Sequence, residues 1–175
     1  MIGRRLLLKA AAGLALGQSD PASAKPTPGD LLIKSGDSTR TPLGPDDVPL
    51  GAAPTPAWAM DAADRTVRSG SRLNQLILVR LDPATLSLDT RARAADGVLA
   101  YTSICTHTGC DVDDWQKDQR LLGCQCHSSV FDPKDGAKVV DGPAPRALPA
   151  LPLKIVDGRL VVAGAFTAPI GFEKG

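Results

Sequence analysis

Every cysteine and every histidine of this chain falls inside one window of 23 residues, from Cys105 to His127. Four Cys and two His are the residue types that ligate soft metals or pair as disulfides, so any fold of this chain must gather that window. They form two boxes, Cys105-Thr106-His107-Thr108-Gly109-Cys110 and Cys124-Gln125-Cys126-His127. Each box offers one Cys and one His, as C-x-H and C-x-x-H, so two facing loops can present two thiolates and two imidazoles. Cys110 and Cys126 are left beside them. Counting also excludes two chemistries. A c-type haem needs C-x-x-C-H, which is absent. A mononuclear iron oxygenase site needs two further histidines and a carboxylate, and no other histidine exists.

The stretches around the boxes read as strands. Gln75 to Leu81 is a compact apolar run, consistent with a buried strand, and Thr85 to Asp89 alternates with period two, as a half-buried strand does. Asp96-Gly97 precedes Val98-Leu99-Ala100-Tyr101, and Asp157-Gly158 separates Lys154-Ile155-Val156 from Arg159-Leu160-Val161-Val162. Asp-Gly accepts the positive φ angles of tight hairpin turns, so both pairs predict hairpins. No stretch beyond the start shows sustained helical periodicity. The fold class expected is all-β and mostly antiparallel, with the two boxes on loops between strands.

Residues 1–24 read as an export signal. Arg4-Arg5 and Lys9 supply a basic start, Ala10 to Leu16 a short apolar run, and Ala22-Ser23-Ala24 an A-x-A cleavage site. The adjacent arginines resemble a twin-arginine signal. A membrane-spanning helix needs about 20 consecutive apolar residues, and Lys9 and Gln18-Ser19-Asp20 interrupt this run. Cleavage after Ala24 is therefore expected, giving a soluble periplasmic protein, with membrane association only if the segment is retained. Residues 25–56 hold seven of the fifteen prolines and read as an extended arm with one short strand at Leu31-Leu32-Ile33. Residues 57–175 form the main domain, with site loops about 104–145. Twenty basic against nineteen acidic residues exclude the strongly basic surface of a nucleic-acid binder.

The two boxes resemble those of the Rieske iron–sulfur proteins, over a stretch from about Val98 to Leu153. The resemblance implies stacked antiparallel sheets with a small cluster-binding subdomain of two loops. It implies that Cys105 and Cys124 bind one iron of a single 2Fe–2S cluster and that His107 and His127 bind the other. A Cys110–Cys126 disulfide would clamp the loops, and Gly142-Pro143-Ala144-Pro145 resembles the family's proline loop on a third side. Ser129 stands where the family often has a serine whose hydroxyl bonds a bridging sulfide. Phe131 stands where high-potential members have a tyrosine bonding a ligand cysteine, here Cys105. Gln125 replaces the usual proline, Ser128 the usual glycine, and Thr108 an apolar residue of the quinol-oxidising members.

Charge explains what mixed ligation does. Four thiolates leave an oxidised 2Fe–2S cluster at −2, whereas two neutral imidazoles in place of two thiolates bring it to zero. A neutral cluster takes an electron more readily, and potentials lie between roughly −150 and +300 mV. Without the tyrosine hydroxyl, this chain belongs below the top of that range. The imidazoles become more basic on reduction, coupling electron to proton.

Zinc also suits Cys2His2 ligation, but a simple zinc site does not need the two spare cysteines, the proline loop or Ser129. Two plain disulfides, in any of three pairings, leave both histidines unexplained. The resemblance thus implies a one-electron carrier or redox subunit in the periplasm with no catalytic site of its own. Its partners would be a c-type cytochrome and a quinol system or redox enzyme. Two alternatives share the motifs. One is the iron–sulfur subunit of a membrane quinol–cytochrome c oxidoreductase on the periplasmic face of the inner membrane. The other is the small subunit of a periplasmic molybdenum enzyme such as arsenite oxidase.

Overall fold

Antiparallel pairing organises the chain from its first strand to its last. The computed structural model describes residues 20–172. The stretch read as an export signal lies outside them except for its last five residues, 20–24. The strands are β1 (Leu31–Lys34), β2 (Thr55–Met60), β3 (Leu76–Arg80), β4 (Val98–Thr102), β5 (Asp114–Gln116), β6 (Leu121–Cys124), β7 (Ser129–Asp132), β8 (Lys138–Asp141), β9 (Ala150–Leu151), β10 (Leu153–Val156) and β11 (Arg159–Val162). Seven form one sheet in the order β10-β11-β1-β2-β3-β4-β9, and four form a second in the order β5-β6-β7-β8. β9 and β10 stand at opposite ends of the larger sheet, yet Pro152 alone separates them in sequence. A single residue spans only about 3.5 Å, so the two ends must meet. The ordinary twist of the sheet therefore curls it nearly shut. The all-β, antiparallel class expected from the sequence is the class observed.

The apolar run around β3 is buried on both faces because it serves two cores. Leu76 and Leu78 on β3 and Val98 and Ala100 on β4 pack with Leu32, Ala57, Ala59 and Leu160. The alternate residues Ile77, Val79, Leu99 and Tyr101 pack with Leu122, Phe131, Cys105 and Cys124. The register that aligns them pairs Leu78 with Ala100 and Val79 with Leu99. Each large aliphatic side chain so buried contributes about 1.5–3 kcal/mol. Tyr101 adds a polar tie, its hydroxyl donating to the Pro133 carbonyl at 2.8 Å. The second core thus joins the larger sheet to the loops that carry the Cys and His boxes.

The proline-rich stretch is woven into the sheet. β1 lies between β11 and β2, with Leu31 opposite Val161 and Leu32 opposite Ala59, while Pro42, Pro45, Pro49 and Pro54 fall in the connections. Both Asp-Gly turns form, with φ of +50° and +75° at Asp96 and Gly97 and +49° and +74° at Asp157 and Gly158. One expectation is corrected. Thr85 to Asp89 is not a strand but a 3-10 turn over Pro83–Thr85 followed by a single helical turn, α1 (Leu88–Arg91). Asp82 accepts from the Ala84 N–H at 2.9 Å and Ser87 from the Thr90 N–H at 3.4 Å. These local caps compete with strand pairing. Leu86 turns inward at 4% exposure and Leu88 outward at 80%, which mimics strand alternation in the sequence.

Candidate metal centre

The first box spans the connection from β4 to β5. It closes on itself, the Cys105 N–H donating to the Cys110 carbonyl at 2.8 Å and the Gly109 N–H to the Cys105 carbonyl at 3.1 Å. Gly109, at φ +81°, supplies the reversal. The second box begins on β6, whose last residue is Cys124, and continues through the turn to β7, with Cys124 opposite Ser129. Cys110 and Cys126 are joined in a disulfide, Cα to Cα 6.5 Å, so the two loops are covalently clamped.

That clamp leaves Cys105 and Cys124 as the free cysteines of the described residues, both buried. Burial above all pushes the Cys124 thiol up; the Cys126 and His127 N–H groups point at its sulfur and oppose this, while the Cys105 sulfur beside it reinforces it. The sulfurs of Cys110, Cys124 and Cys126 lie within 4.8 Å of one another, but the disulfide pair has no thiolate to offer a metal. The disulfide instead stands directly against Cys124. On the outer side the His107 and His127 rings meet edge to face, centroids 4.6 Å apart at 88°. His127 is exposed and His107 half-buried.

A third wall comes from the loop after β8. The Ala144 N–H donates to the Ser129 Oγ at 3.2 Å, and Ser129 is buried. Gly142 has φ +85°, and a Cβ there would lie 2.5 Å from the Ser129 Cα and 2.6 Å from the Ser128 carbonyl oxygen. Only glycine fits such an approach. Pro143 is exposed beside it. Phe131 is fully buried in the core that contains Cys105 and Cys124. Ser128, the departure from glycine, sits at φ +57°.

Two holds on the first box, and a third contact that fixes the partner of one of them, have no counterpart in the sequence reading. Thr106, fully buried, donates from its hydroxyl to the Arg146 carbonyl at 2.6 Å. Arg72 donates to the Gly109 carbonyl at 2.8 Å and pairs with Asp111 at 2.7 Å. Arg146 reaches the Gly171 carbonyl at 2.6 Å. Each joins residues at least 25 apart in the chain, and no local motif marks them.

Two buried thiols and two imidazoles suit the cluster that the sequence resemblance implies. One observation tests that fit. The His107 Nδ1 is buried with no hydrogen-bond partner, an arrangement that costs about 1–3 kcal/mol unless something takes the lone pair or the proton. A metal atom would take it.

Sequence comparison with known proteins agrees. The Rieske 2Fe-2S domain family profile matches residues 58–152. The cytochrome bc1 complex Rieske iron-sulfur subunit of Streptomyces lividans is 35% identical over 150 residues, covering 82% of this chain and 85% of that protein. A respiratory nitrate reductase Rieske subunit of Haloferax mediterranei is 46% identical over 76 residues, 43% of this chain and 34% of that protein. Among solved structures, the soluble domain of Rieske protein II from Sulfolobus acidocaldarius aligns with a TM-score of 0.44 and 24% identity, covering 58% of this chain and 66% of that one.

Proposed function

The chain belongs to the Rieske 2Fe-2S domain family, and from that premise we propose that Cys105 and Cys124 hold one iron of its cluster and His107 and His127 the other. The protein is an electron-transfer protein of that family. The observation that carries the ligand assignment is the convergence, behind one disulfide, of the two free buried thiols and an edge-to-face imidazole pair. When bound, a 2Fe–2S cluster supplies a one-electron couple.

The chain's own residues set the conditions for that couple. The Cys105 and Cys124 side is closed by the core around Phe131 and Leu122, which keeps water from the thiolates. His127 stands at the surface and offers the short path to a partner. The Ser129 Oγ accepts from Ala144 and keeps its own proton free to donate toward the site. Phe131, with no hydroxyl, donates nothing, which supports a potential below the family maximum.

The finer reading is a periplasmic carrier or redox subunit that takes electrons from a quinol system or a redox enzyme and delivers them to a c-type cytochrome. The Streptomyces relative, a bc1 subunit, favours a second reading in which the chain is the iron–sulfur subunit of a membrane quinol–cytochrome c oxidoreductase. Among the described residues no helix is long and apolar enough to cross a membrane.

Iron and acid-labile sulfide analysis tests the ligand set. Two irons and two sulfides per chain are expected, with a rhombic electron paramagnetic resonance signal on reduction. Alanine at any one of Cys105, His107, Cys124 or His127 should abolish that signal; a variant that keeps it removes that residue from the set. Co-purification in mild detergent separates the two readings: a b-type cytochrome partner supports the second.

A further inference from the structure

The Ala22-Ser23-Ala24 stretch, which the sequence marks as a cleavage site, is built into the folded domain. Asp20 caps a 3-10 turn over Pro21–Ser23, its carboxylate accepting from the Ala22 N–H at 3.0 Å. Three backbone carbonyls of this stretch are then taken by the domain. Arg68 Nη1 donates to the Pro21 carbonyl at 3.2 Å, the Gly70 N–H to the Ala22 carbonyl at 2.9 Å, and Asn74 Nδ2 to the Ala24 carbonyl at 2.8 Å.

The donors are fixed groups rather than passing surface side chains. Arg68 is 8% exposed and Asn74 1%. Arg68 is held by Asp30 at 3.2 Å and by Asp61 at 2.9 Å, and Asn74 Nδ2 also donates to the Arg68 carbonyl at 3.1 Å. Gly70 is where the two segments touch. A Cβ there would lie 2.7 Å from the Ser23 Oγ and 2.8 Å from backbone atoms of Ala22 and Ser23. The domain keeps a glycine-floored seat for these residues.

We propose that residues 20–24 are a permanent part of the domain, that the Ala24–Lys25 bond is not a processing site, and that the mature N-terminus lies at or before Asp20. Tolerance to cutting is decided by the burial and hydrogen bonding of the backbone concerned. A processing protease needs its substrate extended, with the scissile carbonyl free. Here the residues before that bond are coiled in a turn, and the Ala24 carbonyl accepts from a buried amide. Departure of the segment after a cut would also take the Pro21 acceptor from Arg68 Nη1 and leave Asn74 Nδ2 with the Arg68 carbonyl alone, a loss for each buried donor. This replaces the division of the chain after residue 24, and it stands apart from the electron-transfer reading because it involves no residue of the metal centre.

The test uses the full chain, exported by a bacterial host and purified with its cluster. Intact mass and N-terminal sequencing report where it begins. Purified signal peptidase is then added to the wild type and to Gly70→Ala, in which the added methyl meets first Ser23 and Ala22 and so evicts the segment with little effect elsewhere. The wild type should retain residues 20–24 and resist cutting, and Gly70→Ala should be cut at Ala24–Lys25 at least tenfold faster. Hydrogen exchange gives a second readout, since the Gly70 amide should exchange as slowly as the core strands. Wild-type protein that begins at Lys25, is cut no slower than Gly70→Ala, or exchanges freely at Gly70 overturns the proposal.

Discussion

Gly142→Ala separates close approach from backbone strain. Gly142 lies at φ +85°, and its missing Cβ leaves room for backbone atoms of Ser129 and Ser128 that would otherwise be 2.5–2.8 Å away. A side chain in the left-handed region costs roughly 1–2 kcal/mol. Forcing a methyl into a packed site whose neighbours are backbone adds about 1–3 kcal/mol. The sum, about 2–5 kcal/mol, is a large share of the ~5–15 kcal/mol that holds a domain together. Gly136 is the control, because it shares the positive φ, at +63°, yet has nothing within 4 Å of its Cβ position. Gly136→Ala should therefore lose only the strain, roughly 1–2 kcal/mol. In urea, with a slope of about 1–3 kcal/mol per molar, Gly142→Ala should unfold at a midpoint roughly 1 M below Gly136→Ala. The midpoint is followed by far-ultraviolet circular dichroism. Bleaching of the visible absorption should accelerate in the same variant, because the Ala144 N–H leaves Ser129. Equal midpoints for the two variants would refute the claim that this loop is held by contact rather than by its turn.

Further outcomes follow from single residues. Ser128→Gly removes the strain of φ +57° and, after the extra flexibility of the unfolded chain, should stabilise by about 0.5–1 kcal/mol; a lower Tm would contradict it. Phe131→Tyr should raise the midpoint potential in a redox titration, since the new hydroxyl enters a fully buried site and must donate to the sulfur side or go unpaired. An unchanged potential would refute that route. Thr106→Val keeps the shape but strips the Arg146 carbonyl of its donor, which should cost about 1–3 kcal/mol in thermal or urea unfolding. Tyr101 is the one tyrosine of the chain, and burial pushes its hydroxyl far above the ordinary value. A raised folded-state pKa contributes stability that is full below the unfolded value, about 10, and is lost as pH climbs toward the folded one. Tyrosinate absorbance should accordingly stay flat through about pH 10–11 and appear only with unfolding.

The meeting of the two boxes was legible because rare residue types crowded into one short window, and the Cys110–Cys126 pairing followed from what the family resemblance implies. Also legible were the turns at Asp96-Gly97 and Asp157-Gly158, where local chemistry alone dictates φ, although only the second joins two strands, β10 and β11, and the first closes a single Ala95–Val98 bridge before β4. Thr85 to Asp89 misled because a 3-10 turn and one helical turn can place Leu86 inward and Leu88 outward as a strand does. The lock on residues 20–24 was hidden for the opposite reason. Small apolar residues before Lys25 carry no sign in the sequence that they fit against Gly70, because the donors that hold them, Arg68 and Asn74, lie far along the chain. The Thr106–Arg146 and Arg72–Gly109 contacts belong with it, since their partners lie tens of residues apart.

Those distant contacts explain why the site can be both exposed and rigid. His127, Gln125 and Ser128 face solvent, and a loop so exposed would ordinarily move. Each wall is instead tied to another: the first box to the second by the disulfide, the second box to the proline loop by Ser129 and Ala144, and the region just after the proline loop back to the first box by Thr106 and Arg146. The ties form a closed ring, so releasing one leaves the walls joined through the other two. Side chains held this way keep their geometry from packing and hydrogen bonds rather than from the ligand they bind. A group that gains and loses an electron without moving its ligands needs such a frame. The two-faced burial of β3 and β4 supplies its base, because the strands that anchor the first box are fixed by one core while their opposite face is fixed by another.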